Sequence, residues 1–160
     1  MWKNQTKPHN FSRFCVYLCT TMINPLFKTD DLNTRRKRII AEKTLEWCKA
    51  NMGTRRANLE FVVKKAGTTA KQNKEQGHFK FWCNQMVIYS DMCPSVRSLI
   101  SVVIHEYTHF LQPMERDYVR LHHQFGYYKH PFEIEARANE KLWSKCYADT
   151  IKPYLLECGL

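Results

Sequence analysis

Hydrophobic and polar positions change period along the chain, and those changes mark out the elements. From about Asp31 to Met52 apolar residues recur at helical spacing, opened by the acidic Asp30-Asp31 pair and closed by Gly53. Leu59-Glu60-Phe61-Val62-Val63 reads as a strand, as do His78 to Trp82 and Met86 to Tyr89, with Cys83-Asn84-Gln85 as a tight connection between the last two. The polar, lysine-rich stretch between Gly67 and Gly77 is expected to be an exposed, mobile loop. Pro94-Ser95 opens a strongly periodic segment, Ser95 to Leu111, that Pro113 must end. A last long helix is expected from Pro131 to about Tyr147, before Pro153 sets off a short C-terminal piece. The pattern predicts an α+β fold in one domain: residues 1–58 as an N-terminal helical extension or backing helix, 59–147 as the core, and 148–160 as a tail helix.

Composition narrows the class. A chain of 160 residues that is 44% hydrophobic can bury a core of its own. The seven cysteines are scattered, odd in number and without a CxxC pair, which speaks against a thiolate metal site and for a reducing, cytoplasmic setting. The apolar stretch Phe14 to Phe27 is interrupted by Thr20, Thr21, Asn24 and Pro25 and has no A-x-A-like cleavage site, so it does not read as a secretory leader. No run reaches the roughly 18 apolar residues of a membrane span. A net charge of +10 and a pI near 9.3 favour acidic protein partners or nucleic acid, with Arg35, Arg36, Lys37 and Arg38 as the densest cluster. The first reading of that cluster is a solvated helix face, and the sharper one is a patch for nucleic acid or an acidic partner.

The chemistry concentrates in Val103-Ile104-His105-Glu106-Tyr107-Thr108-His109-Phe110. Histidines at i and i+4 of a helix stand one above the other, so both rings can reach one metal ion, and the intervening glutamate can work on metal-bound water. By chance this HExxH pattern is expected roughly 0.02 times in a chain of such composition. On a helical projection His105 and His109 fall opposite the apolar face, beside Ser98 and Ser101, as a cleft would require.

Catalytic zinc keeps three protein ligands and an open position. Gln112 and Glu115 stand where HExxHxxGxxH would need glycine and histidine, and Pro113 stands where HExxHxxxH would need histidine. The third donor is therefore sought in His130-Pro131-Phe132-Glu133-Ile134-Glu135-Ala136. Projected as one helix from Pro131 to Tyr147, Glu135 falls among Phe132, Ala136, Ala138, Leu142, Trp143 and Cys146, so it is expected to point inward; Glu133 and His130 are the alternatives. Asn139, one turn after Glu135, is the expected hydrogen-bond partner of a ligand histidine.

HEYTH, followed about 26 residues later by a helix reading ExEAxxN, resembles the gluzincin zinc peptidases, in particular their minimal single-domain members and small phage or bacterial relatives. The resemblance spans Leu59 to about Trp143. It implies a zincin-like fold, a Zn2+ cofactor, hydrolysis of a protein or peptide substrate with Glu106 as general base, and a cleft lined by the strand Met86 to Tyr89. It also implies a Tyr or His that polarises the scissile carbonyl, a role that falls on Tyr128, Tyr127 or His130. Where the family often carries an acid four residues after the glutamate ligand, this chain has Asn139. The other reading is a zinc-binding or basic nucleic-acid- or acidic-protein-binding module on the same scaffold, without turnover.

Overall fold

Asn33 starts the first helix, its side chain accepting from the Arg36 backbone N–H at 2.9 Å. Helix α1, Thr34–Asn51, therefore opens on an asparagine cap rather than on the expected acidic pair. The computed structural model describes residues 28–30 and 32–160; Asp31, the stretch Phe14 to Phe27, Cys15 and Cys19 lie outside them. α1 ends before Gly53, whose φ of 98° suits a residue without a Cβ, and whose carbonyl accepts from the Tyr107 hydroxyl at 2.7 Å. One side of α1 carries the buried Ile40, Ala41, Thr44, Leu45, Trp47 and Cys48. Arg35 and Arg38 are exposed, and Arg38 pairs with Glu42 one turn on.

Three strands form a mixed sheet in the order β1-β3-β2. β1 (Glu60–Lys64) runs parallel to β3 (Gln85–Tyr89), and β2 (Gly77–Lys80) runs antiparallel to it. The strand expected to line a cleft, Met86 to Tyr89, is thus the central one, with both of its edges engaged. The segment between β1 and β2 is not a plain loop. It holds a short helix α2 (Thr68–Gln72) that buries Ala70 on the sheet, followed by the buried Glu75 and Gly77. A Cβ built on Gly77 would stand 3.0 Å from both Val102 Cγ2 and the Val87 carbonyl, so glycine allows β2 to press against the next helix.

That helix is α3, Val96–Leu111, capped by the Ser95 hydroxyl, which accepts from Ser98 N at 3.0 Å. It is buried on nearly every side: Leu99, Ile100, Val103, Ile104, Tyr107 and Phe110 join α1 and the sheet in the main core. His105 and His109 are 2% and 5% exposed. The expected open polar face is therefore covered, and what covers it is the chain from Pro131 onward, which brings Glu133 and Glu140 onto the two rings.

α4 (Met114–Phe125) starts directly after Pro113 and ends at Gly126, with φ 66°. Pro113 ends one helix and leads into the next, because proline is tolerated ahead of a first turn. α5 runs only from Pro131 to Asn139. The single helix expected to Tyr147 is instead α5, a 3₁₀ turn (Glu140–Leu142), α6 (Trp143–Cys146), a π turn (Tyr147–Ile151) and α7 (Lys152–Glu157). Ile151 and Leu155 of this last stretch belong to the main core. Among the described residues no helix is long and apolar enough to cross a membrane.

Candidate metal centre

The two histidines of HExxH stand on consecutive turns of α3 with their Nε2 atoms 3.1 Å apart. α5 crosses them and brings a carboxylate to the same point. The carboxylate is Glu133, with Oε1 3.3 Å from His109 Nε2 and Oε2 3.5 Å from His105 Nε2. Glu133 is 4% exposed, whereas Glu135 is exposed. The inward-facing role expected of Glu135 is thus corrected to Glu133.

The reason lies in the backbone. The projection that favoured Glu135 drew Leu142, Trp143 and Cys146 from beyond the 3₁₀ turn. Three residues at 120° instead of 100° rotate the later apolar face by roughly 60°. Within α5 alone the buried residues are Glu133 and Ala136, and Ile134 and Ala138 face outward.

The remaining ring nitrogens are engaged on the far side. His105 Nδ1 meets Glu140 Oε1 at 2.8 Å, and His109 Nδ1 meets Gln112 Oε1 at 2.8 Å. Asn139, expected in this role, instead donates to the Thr108 hydroxyl at 3.3 Å. Both actual partners had a sequence signal: Gln112 is one turn after His109, and Glu140 is two turns after Glu133 on the same face.

Electrostatics tie the cluster together. Burial works against a charged His105 ring, but the Glu133 and Glu140 carboxylates and the nearby Glu106 push its pKa up to about 10. Burial would raise Glu133, yet His105 and His109 hold it well below the usual carboxylate range. At the third position of α5, Glu133 also sits where a helix N-terminus favours an anion. Even so, Glu133 Oε2 is buried without a hydrogen-bond partner.

These donors fit a metal. Bonds of about 2.0–2.1 Å at tetrahedral angles put neighbouring donor atoms about 3.3 Å apart, and the three separations here are 3.1, 3.3 and 3.5 Å. Among the described residues this is the group of His, Cys, Asp or Glu side chains whose ligand atoms could hold an ion. Two imidazoles and a carboxylate are a donor set that zinc accepts.

Glu106 is 3% exposed on the same helix. Tyr128, expected to act on a carbonyl, is 74% exposed, and its backbone carbonyl accepts from Arg137; its neighbour Tyr127 packs edge-on against its ring. Tyr118 of α4, not singled out from the sequence, stacks on His130 beside the start of α5. Burial raises its pKa first, and the charges of Glu133 and Glu106 add to the rise, so its hydroxyl stays protonated in the field of both carboxylates. His130 is fully buried and caps α5: Nδ1 accepts from Phe132 N at 3.2 Å, Nε2 donates to the Tyr118 carbonyl at 3.1 Å, and the ring stacks on Tyr118 at 4.4 Å. Burial lowers the His130 pKa, which keeps the capping nitrogen free of a proton.

Comparison of the chain with protein-family models, with curated proteins and with solved structures finds no match.

Proposed function

We propose that this protein is a zinc-dependent peptidase in which His105, His109 and Glu133 hold the metal and Glu106 is the general base. The observation that carries the reading is the convergence of two Nε2 atoms and a carboxylate at donor spacings of 3.1–3.5 Å, directly beside a buried glutamate on the same helix. Zinc bound there would lower the pKa of a coordinated water towards about 7 and polarise a carbonyl oxygen. Glu106 accepts the proton of the attacking water and delivers it to the departing amine. Tyr118, kept neutral, supplies a hydroxyl donor for the charge that develops on the carbonyl oxygen. Glu140 and Gln112 fix the planes of the ligand rings.

A peptide substrate follows from the resemblance of HEYTH and ExEAxxN to the gluzincins, and the sheet offers it a seat. β2 lies along α3 and pairs, among the described residues, with β3 alone, so its outer edge can take an extended chain. The cleft-lining role expected of Met86 to Tyr89 passes to this edge strand. Metal analysis of the purified protein, combined with cleavage of a mixed peptide library by the parent and Glu106→Gln, tests the proposal. About one zinc per chain and cleavage by the parent alone are expected. Less than a tenth of a zinc per chain, or equal cleavage by both proteins, would overturn it.

A further inference from the structure

Gln112 is where α3 stops, and the residue is 4% exposed. It makes three hydrogen bonds. Its Oε1 lies 2.8 Å from His109 Nδ1, and its Nε2 donates to the Phe132 carbonyl at 3.0 Å and to Glu135 Oε2 at 2.9 Å. A carbonyl and a carboxylate can only accept, so the amide NH2 must face α5 and the amide oxygen must face His109. An amide oxygen also only accepts. His109 Nδ1 must therefore carry the hydrogen, which leaves the Nε2 lone pair directed at the cluster.

We infer that Glu135 and Gln112 form a positioning chain that sets the tautomer and ring plane of His109 for metal binding. This rests on the metal reading above and adds to it a division of labour. His105 is held by a carboxylate, Glu140, and its ring is the more strongly polarised ligand. His109 is held by a neutral amide whose orientation is decided one bond further out. α5 consequently acts twice: Glu133 joins the ligands, and Glu135, two residues on, orders the ligand opposite.

Two measurements on the full chain test the chain of bonds. Long-range proton–nitrogen NMR of the metal-free protein reads the His109 tautomer, and competition with a chromophoric chelator reads zinc affinity. The parent should show a single Nδ1–H tautomer. Gln112→Leu should show a mixture and bind zinc about 10- to 100-fold more weakly. Gln112→Glu, which sets two carboxylates against each other, should weaken binding likewise. Adding Glu135→Gln restores a donor–acceptor link with the polarity reversed and should recover most of the loss. Should Gln112→Leu fail to fold, the Gln112→Glu and Glu135→Gln exchange carries the test alone. A single Nδ1–H tautomer in Gln112→Leu, or zinc affinity within about twofold of the parent in the Gln112 variants, would overturn the inference. If the parent itself binds no zinc, the metal reading fails, and the tautomer comparison still decides whether Gln112 sets His109.

Discussion

Two glutamate–histidine contacts, one part-buried and one buried, lie on opposite faces of the sheet, and they differ in what closes them. On the face away from α3, Glu75 Oε1 meets His78 Nδ1 at 2.6 Å, three residues apart in one segment, with the ring edge-on to Tyr89. That distance is a charge-assisted hydrogen bond: one proton between one ring and one carboxylate. On the α3 side two rings and the Glu133 carboxylate come from two separate helices and stand at 3.1–3.5 Å, with one carboxylate oxygen unbonded. A proton can bridge only one pair of those atoms at a time. The first region closes around a hydrogen, whereas the second has the dimensions of a larger cation.

Breaking the second region should have the largest effect. Glu133→Ala leaves two histidine donors, so zinc content is expected to fall from about one per chain to below a tenth after gel filtration, while Glu135→Ala remains loaded at saturating zinc. Retention of zinc by Glu133→Ala together with its loss from Glu135→Ala would show that the helix presents its other face in solution. Next in size is Glu106→Gln. Removing proton transfer alone should lower kcat by about 10²–10⁴-fold with zinc stoichiometry unchanged, as measured on a substrate cleaved by the parent. A Glu106→Gln protein that keeps full kcat would mean that another group serves as base.

The contrast between the regions also explains what could be anticipated from the residues. The HExxH pair was legible because both rings lie on one regular helix with clear ends at Ser95 and Pro113. β1 and the β2–β3 hairpin were legible to within about two residues, since β2 alternates between buried and half-buried positions and β1 and β3 are short apolar runs rich in β-branched residues. Glu133 was not, because its helix gives way to 3₁₀ geometry at Glu140, and a straight projection carried across that change turns the wrong carboxylate inward. Helix α4 was hidden by treating Pro113 only as a terminator, and α2 by a lysine-rich composition that conceals Ala70 and Glu75. Gln112, one turn after His109, had a local signal, whereas the meeting of Glu140 with His105 and of Gln112 with the Phe132 carbonyl depends on α3 and α5 crossing, which no period within one helix encodes.

The metal-free site should hold a proton that zinc must displace. Because the carboxylates around His105 push its pKa up to about 10, its ring is protonated at neutral pH without metal, and a metal-bound Nε2 cannot keep that hydrogen. The sign follows: the proton belongs to the metal-free side of the equilibrium, so raising the pH favours zinc. Affinity should climb about tenfold per pH unit between pH 6.5 and 8.5, with about one proton released per zinc at pH 7.5. Calorimetry in buffers of different ionisation enthalpy measures the release directly. Zinc binding that is flat across this range, with no proton release, would mean that His105 is already neutral before the metal arrives.

The smallest effect is expected at the Glu75–His78 contact, which shares no residue with the metal ligands. Glu75→Gln keeps an oxygen that can accept from His78 Nδ1 but gives up the charge, so the loss should be on the order of 1 kcal/mol, the difference between a charged and a neutral hydrogen bond. For a chain of this size that corresponds to a fall of about 2–4 °C in Tm. Zinc affinity should stay within about twofold of the parent, because the backbone of β2 and the body of α3 separate the His78 side chain from the rings of His105 and His109. Glu140→Gln makes the matched comparison: it removes the same charge from a histidine contact of 2.8 Å, and it should weaken zinc binding by about 10-fold. Equal effects of the two substitutions on zinc would show that the sheet transmits changes at His78 to α3, and the division between the two faces would then fail.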